Sequence, residues 1–235
     1  MESVSILRNI LKLQYHINDM IDKDWLSNNH DFDSAILCES AELIESLAYK
    51  WWKKGEVDEF NSKLEIIDIL HFIISKVITI DYSVKTELID HSSYNFDPDQ
   101  LATWGMLWLT MSESGSTFNR DELISSTKKL VKNTIGSSNL PVILKSVDVL
   151  LSHSGMTYEE IYQLYLMKNT LNKFRVSHGY GDGTYVKNWM YEGKLCEDNY
   201  VAYQLTKSLS LEGLSVNESM NSIYNSLSNY YANIK

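Results

Sequence analysis

Apolar residues recur at helical spacing along most of the chain. Over residues 4–21 the positions Ile6, Leu7, Ile10, Leu11, Leu13, Ile17, Met20 and Ile21 fall three or four apart, which predicts an amphipathic helix. After a polar turn at Ser27-Asn28-Asn29-His30, a second helix is expected from Asp33 or Ser34, both good N-caps, to the Lys53-Lys54-Gly55 stop. A third is expected over residues 57–80. Its apolar run beyond Phe72 (Ile73, Ile74, Val77, Ile78, Ile80) predicts burial through the middle of the protein. Plainer helices follow at 99–112, 120–134 and 140–153, with Trp104 and Trp108 as core residues one turn apart. Thr157 followed by Glu160 is a capping-box signal for a long helix reaching Arg175. Two amphipathic helices, at 200–209 and 216–231, finish the chain. With only two prolines and ten glycines there is little to break helices. The expected fold class is all-α, a multi-helix bundle. One domain over 1–235 is the simplest organisation, with 81–154 its least recognisable section.

One stretch departs from the helical period. Ser177 to Trp189 reads SHGYGDGTYVKNW, glycine-rich, aromatic and aperiodic, the composition of a loop whose backbone approaches something closely.

The candidate chemistry lies on the second and third helices. Glu39-x-x-Glu42 and Glu65-x-x-Asp68 each put two carboxylates on one helix face, among Ala41, Leu43, Ile44 and Leu47 or Leu64, Ile66, Ile67, Ile69, Leu70 and Phe72. An acidic pair on a helix is ordinarily a solvated face. Two such pairs embedded in apolar faces and joined by a short turn repel one another and cost desolvation, which cations between them would offset. All-oxygen ligation suits Mg²⁺ or Mn²⁺.

Composition narrows the partners. A formal net charge of −10 argues against a nucleic-acid backbone as ligand. Neither of the two cysteines, Cys38 and Cys196, has metal-type spacing, so free thiols in a reducing cytoplasm are expected. No apolar run is long enough to span a bilayer, and MESVSILRNILK is unlike a signal peptide. An anionic substrate held through metals would meet cations elsewhere, and Lys168, Arg175, Tyr185 and Lys187 are the candidates. Lys168, Asn172 and Arg175 share one helix face. Glycines 179, 181 and 183 would let backbone N–H groups close over phosphates.

Taken together these segments look familiar. The acidic E-x-x-E, the helix E-I-I-D-I-L-H-F, the run K-N-T-L-N-K-F-R-V-S-H-G-Y-G-D-G-T-Y-V-K-N-W and the E-D-N that follows resemble the dimeric all-α dUTPases. That family is grouped with dCTPases and MazG-type enzymes in the all-α NTP pyrophosphatase superfamily. The similar stretches are 11–19, 38–72 and 165–199. The resemblance implies Mg²⁺ ligation by Glu39, Glu42, Glu65 and Asp68. It implies phosphate contacts from Lys168, Arg175, Tyr185 and Lys187, base and sugar contacts from Gln14, Asn18, Trp52, His71, Phe72 and Asn199, and Asn172 as a further substrate-binding residue. Gly181 is a departure, since relatives often carry a charged residue there. The implied reaction is Mg-dependent hydrolysis of dUTP to dUMP and pyrophosphate by a cytoplasmic homodimer, with dUDP as a further substrate. Neither nucleic acid nor membrane is an expected partner. The rival inside the superfamily is a dCTP or dual dCTP/dUTP pyrophosphatase. Asp68-x-x-His71 echoes a di-iron bundle motif, but Glu39-x-x-Glu42 lacks its histidine.

Overall fold

The computed structural model describes the backbone of residues 3–87, 93–106 and 117–233. Nine helices and one two-stranded hairpin lie among the described residues: α1 Ser3–Ile21, α2 Phe32–Ser46, α3 Glu59–Thr86, α4 Pro98–Met106, α5 Arg120–Thr134, α6 Leu140–Ser152, α7 Tyr158–Ser177, β1 Asn188–Tyr191, β2 Lys194–Glu197, α8 Asp198–Lys207 and α9 Val216–Ala232. The all-α expectation holds. The expected core pair of Trp104 and Trp108 lies outside the described side chains. The chain packs as two compact units, 1–162 and 163–235.

In the first unit α3 is the axis, 28 residues long and packed against α2, α1 and α6. Leu64, Ile66, Ile67, Ile69, Leu70, Ile73, Ile74, Val77 and Ile78 are all buried, so the helix is apolar almost all round through this section. It runs beyond the expected end at residue 80. Its last turns carry few core residues and are held by the i,i+4 pair Lys85–Asp81 (3.0 Å) and by hydroxyls of Ser83 and Thr86 bonding back to carbonyls of the preceding turn.

The second helix was expected to run to Gly55, and this needs correction. α2 starts one or two residues earlier, with Asp31 as N-cap accepting from Ser34 N–H, and stops at Ser46. Ala48 then adopts a left-handed backbone (φ 50°) that a lysine-rich helix end does not announce. Arg120 stabilises that stop. Its Nε donates to the Leu47 carbonyl (2.7 Å) and its Nη2 to that of Ala48 (3.0 Å). Removing the guanidinium leaves those terminal carbonyls to water. Arg120→Ala is therefore expected to lower stability by about 1–3 kcal/mol, measurable by urea unfolding.

The early stop also sets the α2–α3 hairpin. Asp58 N–H donates to the Ser46 carbonyl (2.9 Å), and Asp58 caps α3 through Asn61 N–H. The carboxylate-bearing turns of the two helices are thereby brought side by side.

The second unit holds most of α7, the hairpin, α8 and α9. The hairpin escaped the sequence reading, which expected only loop there. It pairs Asn188 with Glu197 and Trp189 with Cys196, and turns on Glu192-Gly193 with both residues at positive φ (47° and 76°). That is a two-residue type I′ turn, in which glutamate stands where asparagine or aspartate would have given the signal. Trp189 is fully buried, donates to the Val186 carbonyl (2.8 Å) and meets Phe174, Tyr230 and Tyr231.

Candidate active site

The first unit brings three of the four predicted carboxylates together. Ligand oxygens from Glu39, Glu42 and Glu65 lie within 4.8 Å of one another. Glu65 is buried, Glu39 half-buried and Glu42 exposed, so the cluster grades from core to solvent. Asn61 orients Glu65: its Nδ2 donates to Glu65 Oε1 (2.9 Å) and to Ser46 Oγ (2.8 Å) at the end of α2. One amide thus ties both helices to the buried carboxylate. Asp68 sits one turn further along α3, half-buried, with Oδ1 4.0 Å from His71 Nδ1. It is not part of the triple cluster.

His71 is buried, and its Nδ1 lies 2.8 Å from the Ile67 carbonyl. A carbonyl can only accept, so Nδ1 carries the proton and Nε2 is the other ring nitrogen's acceptor position when the ring is neutral. Four residues on, Ser75 Oγ donates to the His71 carbonyl (2.9 Å) and accepts from Gln14 Nε2 and Asn18 Nδ2 (2.9 Å each). Gln14 Nε2 also donates to Asn18 Oδ1 (2.9 Å). The Gln14 and Asn18 amides are thereby joined to α3, and Gln14 is buried. Phe72 is half-buried on the same helix. Trp52 is 60% exposed and lies edge-on to Trp51 and Tyr49 in the segment between α2 and α3.

Two of the predicted phosphate-side residues of the second unit, Arg175 and Tyr185, meet on one buried acid. Asp198, fully buried, takes Arg175 Nε and Nη2 bidentately at 2.8 Å each, and Tyr185 Oη donates to it at 2.8 Å. Arg175 Nη1 donates to Asn172 Oδ1 (3.2 Å). Asn199 Oδ1 accepts from Lys168 Nζ (3.0 Å) and Arg175 Nη2 (3.1 Å), which leaves Asn199 Nδ2 as its donor side. Burial, the charge of Asp198 and the hydrogen bond to it push the Tyr185 phenol far above its ordinary range, so it stays a neutral donor. Lys187 stands apart, about half exposed and 3.7 Å from Glu197. Arg175 was expected to turn its fork to phosphate. In this fold the bidentate edge of that fork meets Asp198.

The glycine-rich loop also needs correction. It was expected to present backbone N–H groups to phosphates, yet it closes on itself. Thr184 and Tyr185 N–H both donate to the Gly179 carbonyl (2.9 and 3.2 Å), Gly183 N–H to that of Tyr180 (3.3 Å), and Val186 N–H to Tyr231 Oη (3.1 Å). Gly179 is required by this closure: at φ 87° a Cβ would fall 2.0 Å from Thr184 Oγ1.

The comparison with known families adds the deciding observation. Residues 6–180 match the family model described as dUTPase. The chain belongs to the dUTPase family. It is accordingly a nucleoside triphosphate diphosphatase enzyme with a dUTP diphosphatase-type activity, acting on small nucleotide substrates. The family is metal-dependent in general, and this dUTPase-family chain has a glutamate cluster able to bind a metal. The matched stretch includes every predicted carboxylate together with Gln14, Asn18, Trp52, His71, Phe72, Lys168, Asn172 and Arg175; Tyr185, Lys187 and Asn199 lie beyond it. No curated protein matches the chain. No helix among the described residues is long and apolar enough to cross a membrane.

Three residues that shape these clusters were not singled out from the sequence. Asn61 lies four before Glu65 and Ser75 four after His71, so the i,i+4 rule had both within reach. Asp198 stood next to Asn199 in the Glu-Asp-Asn motif, and only the asparagine was carried over.

Proposed function

We propose that this dUTPase-family chain hydrolyses dUTP to dUMP and pyrophosphate with Mg²⁺ or Mn²⁺ held by Glu39, Glu42, Glu65 and Asp68. The convergence of Glu39, Glu42 and Glu65 oxygens within 4.8 Å carries the reading. The donor set fits a hard divalent ion, being all oxygen and free of sulfur, with its buried member already aimed by Asn61. When bound, such ions supply charge neutralisation along the triphosphate and a water of lowered pKa.

The chain's own groups then have distinct tasks. Gln14 and Asn18, with His71 and Phe72, meet base and sugar, and Trp52 offers an aromatic face for stacking. Lys168, Asn172 and Lys187 stand as phosphate contacts, with Lys168 the point charge among them, while Arg175 and Tyr185, engaged by Asp198, hold Asn172 and Asn199 in place. Asn199 contributes a donor, because Lys168 and Arg175 hold its carbonyl. A cytoplasmic homodimer that also accepts dUDP completes the proposal.

A panel of nucleoside triphosphates with Mg²⁺, read by pyrophosphate release, tests it. Rates on dUTP are expected to exceed those on dCTP by at least ~10²-fold in kcat/KM, since a mismatched buried polar edge costs several kcal/mol. Asn199→Ala should narrow the gap. Comparable rates on dCTP and dUTP would make the chain a dual pyrophosphatase, and no pyrophosphate from any nucleotide would overturn the assignment.

A further inference from the structure

We infer that Asn61 is a positioning residue for divalent-metal affinity, joining the carboxylates of α2 and α3 into one site before an ion arrives. The inference rests on the reading above that Glu39, Glu42 and Glu65 hold the ion. Like charges whose oxygens lie within 4.8 Å of one another drive their side chains apart when no cation is bound. The α2 pair, half-buried Glu39 and exposed Glu42, has solvent to turn into. A link between the two helices is therefore what keeps the cluster together. Asn61 stands one turn before Glu65 on α3, and Ser46 one turn after Glu42 on α2. Asn61 Nδ2 spans the gap, donating to Glu65 Oε1 (2.9 Å) and to Ser46 Oγ (2.8 Å). Ser46 Oγ in turn donates to the Glu42 carbonyl (3.0 Å).

Donors and acceptors leave this amide one orientation. An ionised carboxylate only accepts, and the hydroxyl hydrogen of Ser46 goes to the Glu42 carbonyl, so both neighbours call for the NH₂ of Asn61. Its backbone is fixed as well. Asn61 N–H donates to Asp58 Oδ1 (2.9 Å), and Asp58 N–H to the Ser46 carbonyl (2.9 Å). The link from Glu42 to Glu65 thus runs through one side chain held at both ends. A carboxylate that is already ordered loses less rotamer entropy when an ion binds, which strengthens binding without adding a contact. The amide acts on the ion only through Glu65, yet it sets how much of the site is built in advance.

The test titrates Mn²⁺, with free ion read by electron paramagnetic resonance, into metal-free wild type, Asn61→Ala, Ser46→Ala and the double variant. Asn61→Ala is expected to weaken Mn²⁺ binding by about 10–100-fold, the usual effect of losing a group that orients a ligand. Ser46→Ala leaves the bond to Glu65 but releases the amide from α2, and binding about 3-fold weaker or more is expected. The double variant should bind no more weakly than Asn61→Ala, because both residues act through one link. A purely structural asparagine would lower the melting temperature in chelator and leave the Mn²⁺ dissociation constant unchanged. Unchanged binding in Asn61→Ala, or losses that simply add in the double variant, would overturn the inference. Glu42→Gln separates this from the metal reading. Wild-type protein that binds no Mn²⁺, or binding undiminished in Glu42→Gln, would remove the ion from the cluster and the inference with it. Binding lost in Glu42→Gln but kept in Asn61→Ala sinks the inference alone. Should Asn61→Ala fail to fold, the metal-free wild type answers by NMR. Both Asn61 side-chain amide protons are expected to exchange slowly with solvent, and fast exchange of either would refute the link.

Discussion

Glu42→Gln is expected to lose turnover by about 10³-fold or more, the rate equivalent of roughly 4 kcal/mol of transition-state stabilisation. The amide keeps the shape of the side chain but removes a full charge from a cluster whose ligand oxygens lie within 4.8 Å of one another. Activity alone would not separate a lost metal ligand from a damaged fold, so thermal melting is the second readout. In chelator, three carboxylates at this separation repel, and Glu42→Gln should melt no lower than the wild type. Adding Mg²⁺ at a hundredfold excess over its dissociation constant should raise the wild-type midpoint by roughly 5–10 °C, since binding to the folded state alone contributes about 2.7 kcal/mol. The variant should lose most of that rise. Near-wild-type turnover together with an undiminished Mg²⁺ shift would remove the cluster from the chemistry.

The parts of this molecule written in local pattern were legible, and those written in tertiary capping were not. The helical period located α1, α3, α5, α6 and α9 because their apolar residues meet a core at fixed spacing, and Thr157-x-x-Glu160 marked the start of α7 through a capping box that forms, with N–H to carboxylate and hydroxyl contacts at 2.8 and 3.2 Å. The end of α2 was not legible. It depends on Arg120, more than seventy residues away, and no window around Gly55 contains that guanidinium. The acidic motifs were visible because like charges embedded in apolar faces contradict ordinary burial. What aims Glu65 was hidden, since Asn61 looks like any polar residue until the fold supplies its partners. The glycine loop misled for a related reason. Close backbone approach was inferred correctly, but the approaching group is Thr184 of the same loop and not a ligand.

The largest stability effect is expected at Asp198, where Asp198→Ala should cost about 3–5 kcal/mol. The carboxylate is fully buried and serves three donors: Nε and Nη2 of Arg175 and the Tyr185 hydroxyl, each at 2.8 Å. Truncation leaves the Arg175 guanidinium buried without its bidentate counter-charge, and the desolvation of that cation is no longer compensated. The loss passes beyond the pair. Arg175 Nη2 also donates to Asn199 Oδ1, so the first turn of α8 shares the same anchor on α7. Two further variants apportion the effect. Asp198→Asn keeps the shape and one acceptor but not the charge, and its cost should fall between the wild type and alanine. Tyr185→Phe removes one neutral donor while Arg175 still satisfies the carboxylate, so about 1 kcal/mol is expected. Urea unfolding gives the magnitudes, and amide hydrogen exchange gives the place, with protection in β1, β2 and α8 expected to fall first in Asp198→Ala. A cost below about 1 kcal/mol in that variant would mean that Arg175 is held by Asn172 and Asn199 without the acid, and that the bidentate pair is a contact the second unit can do without.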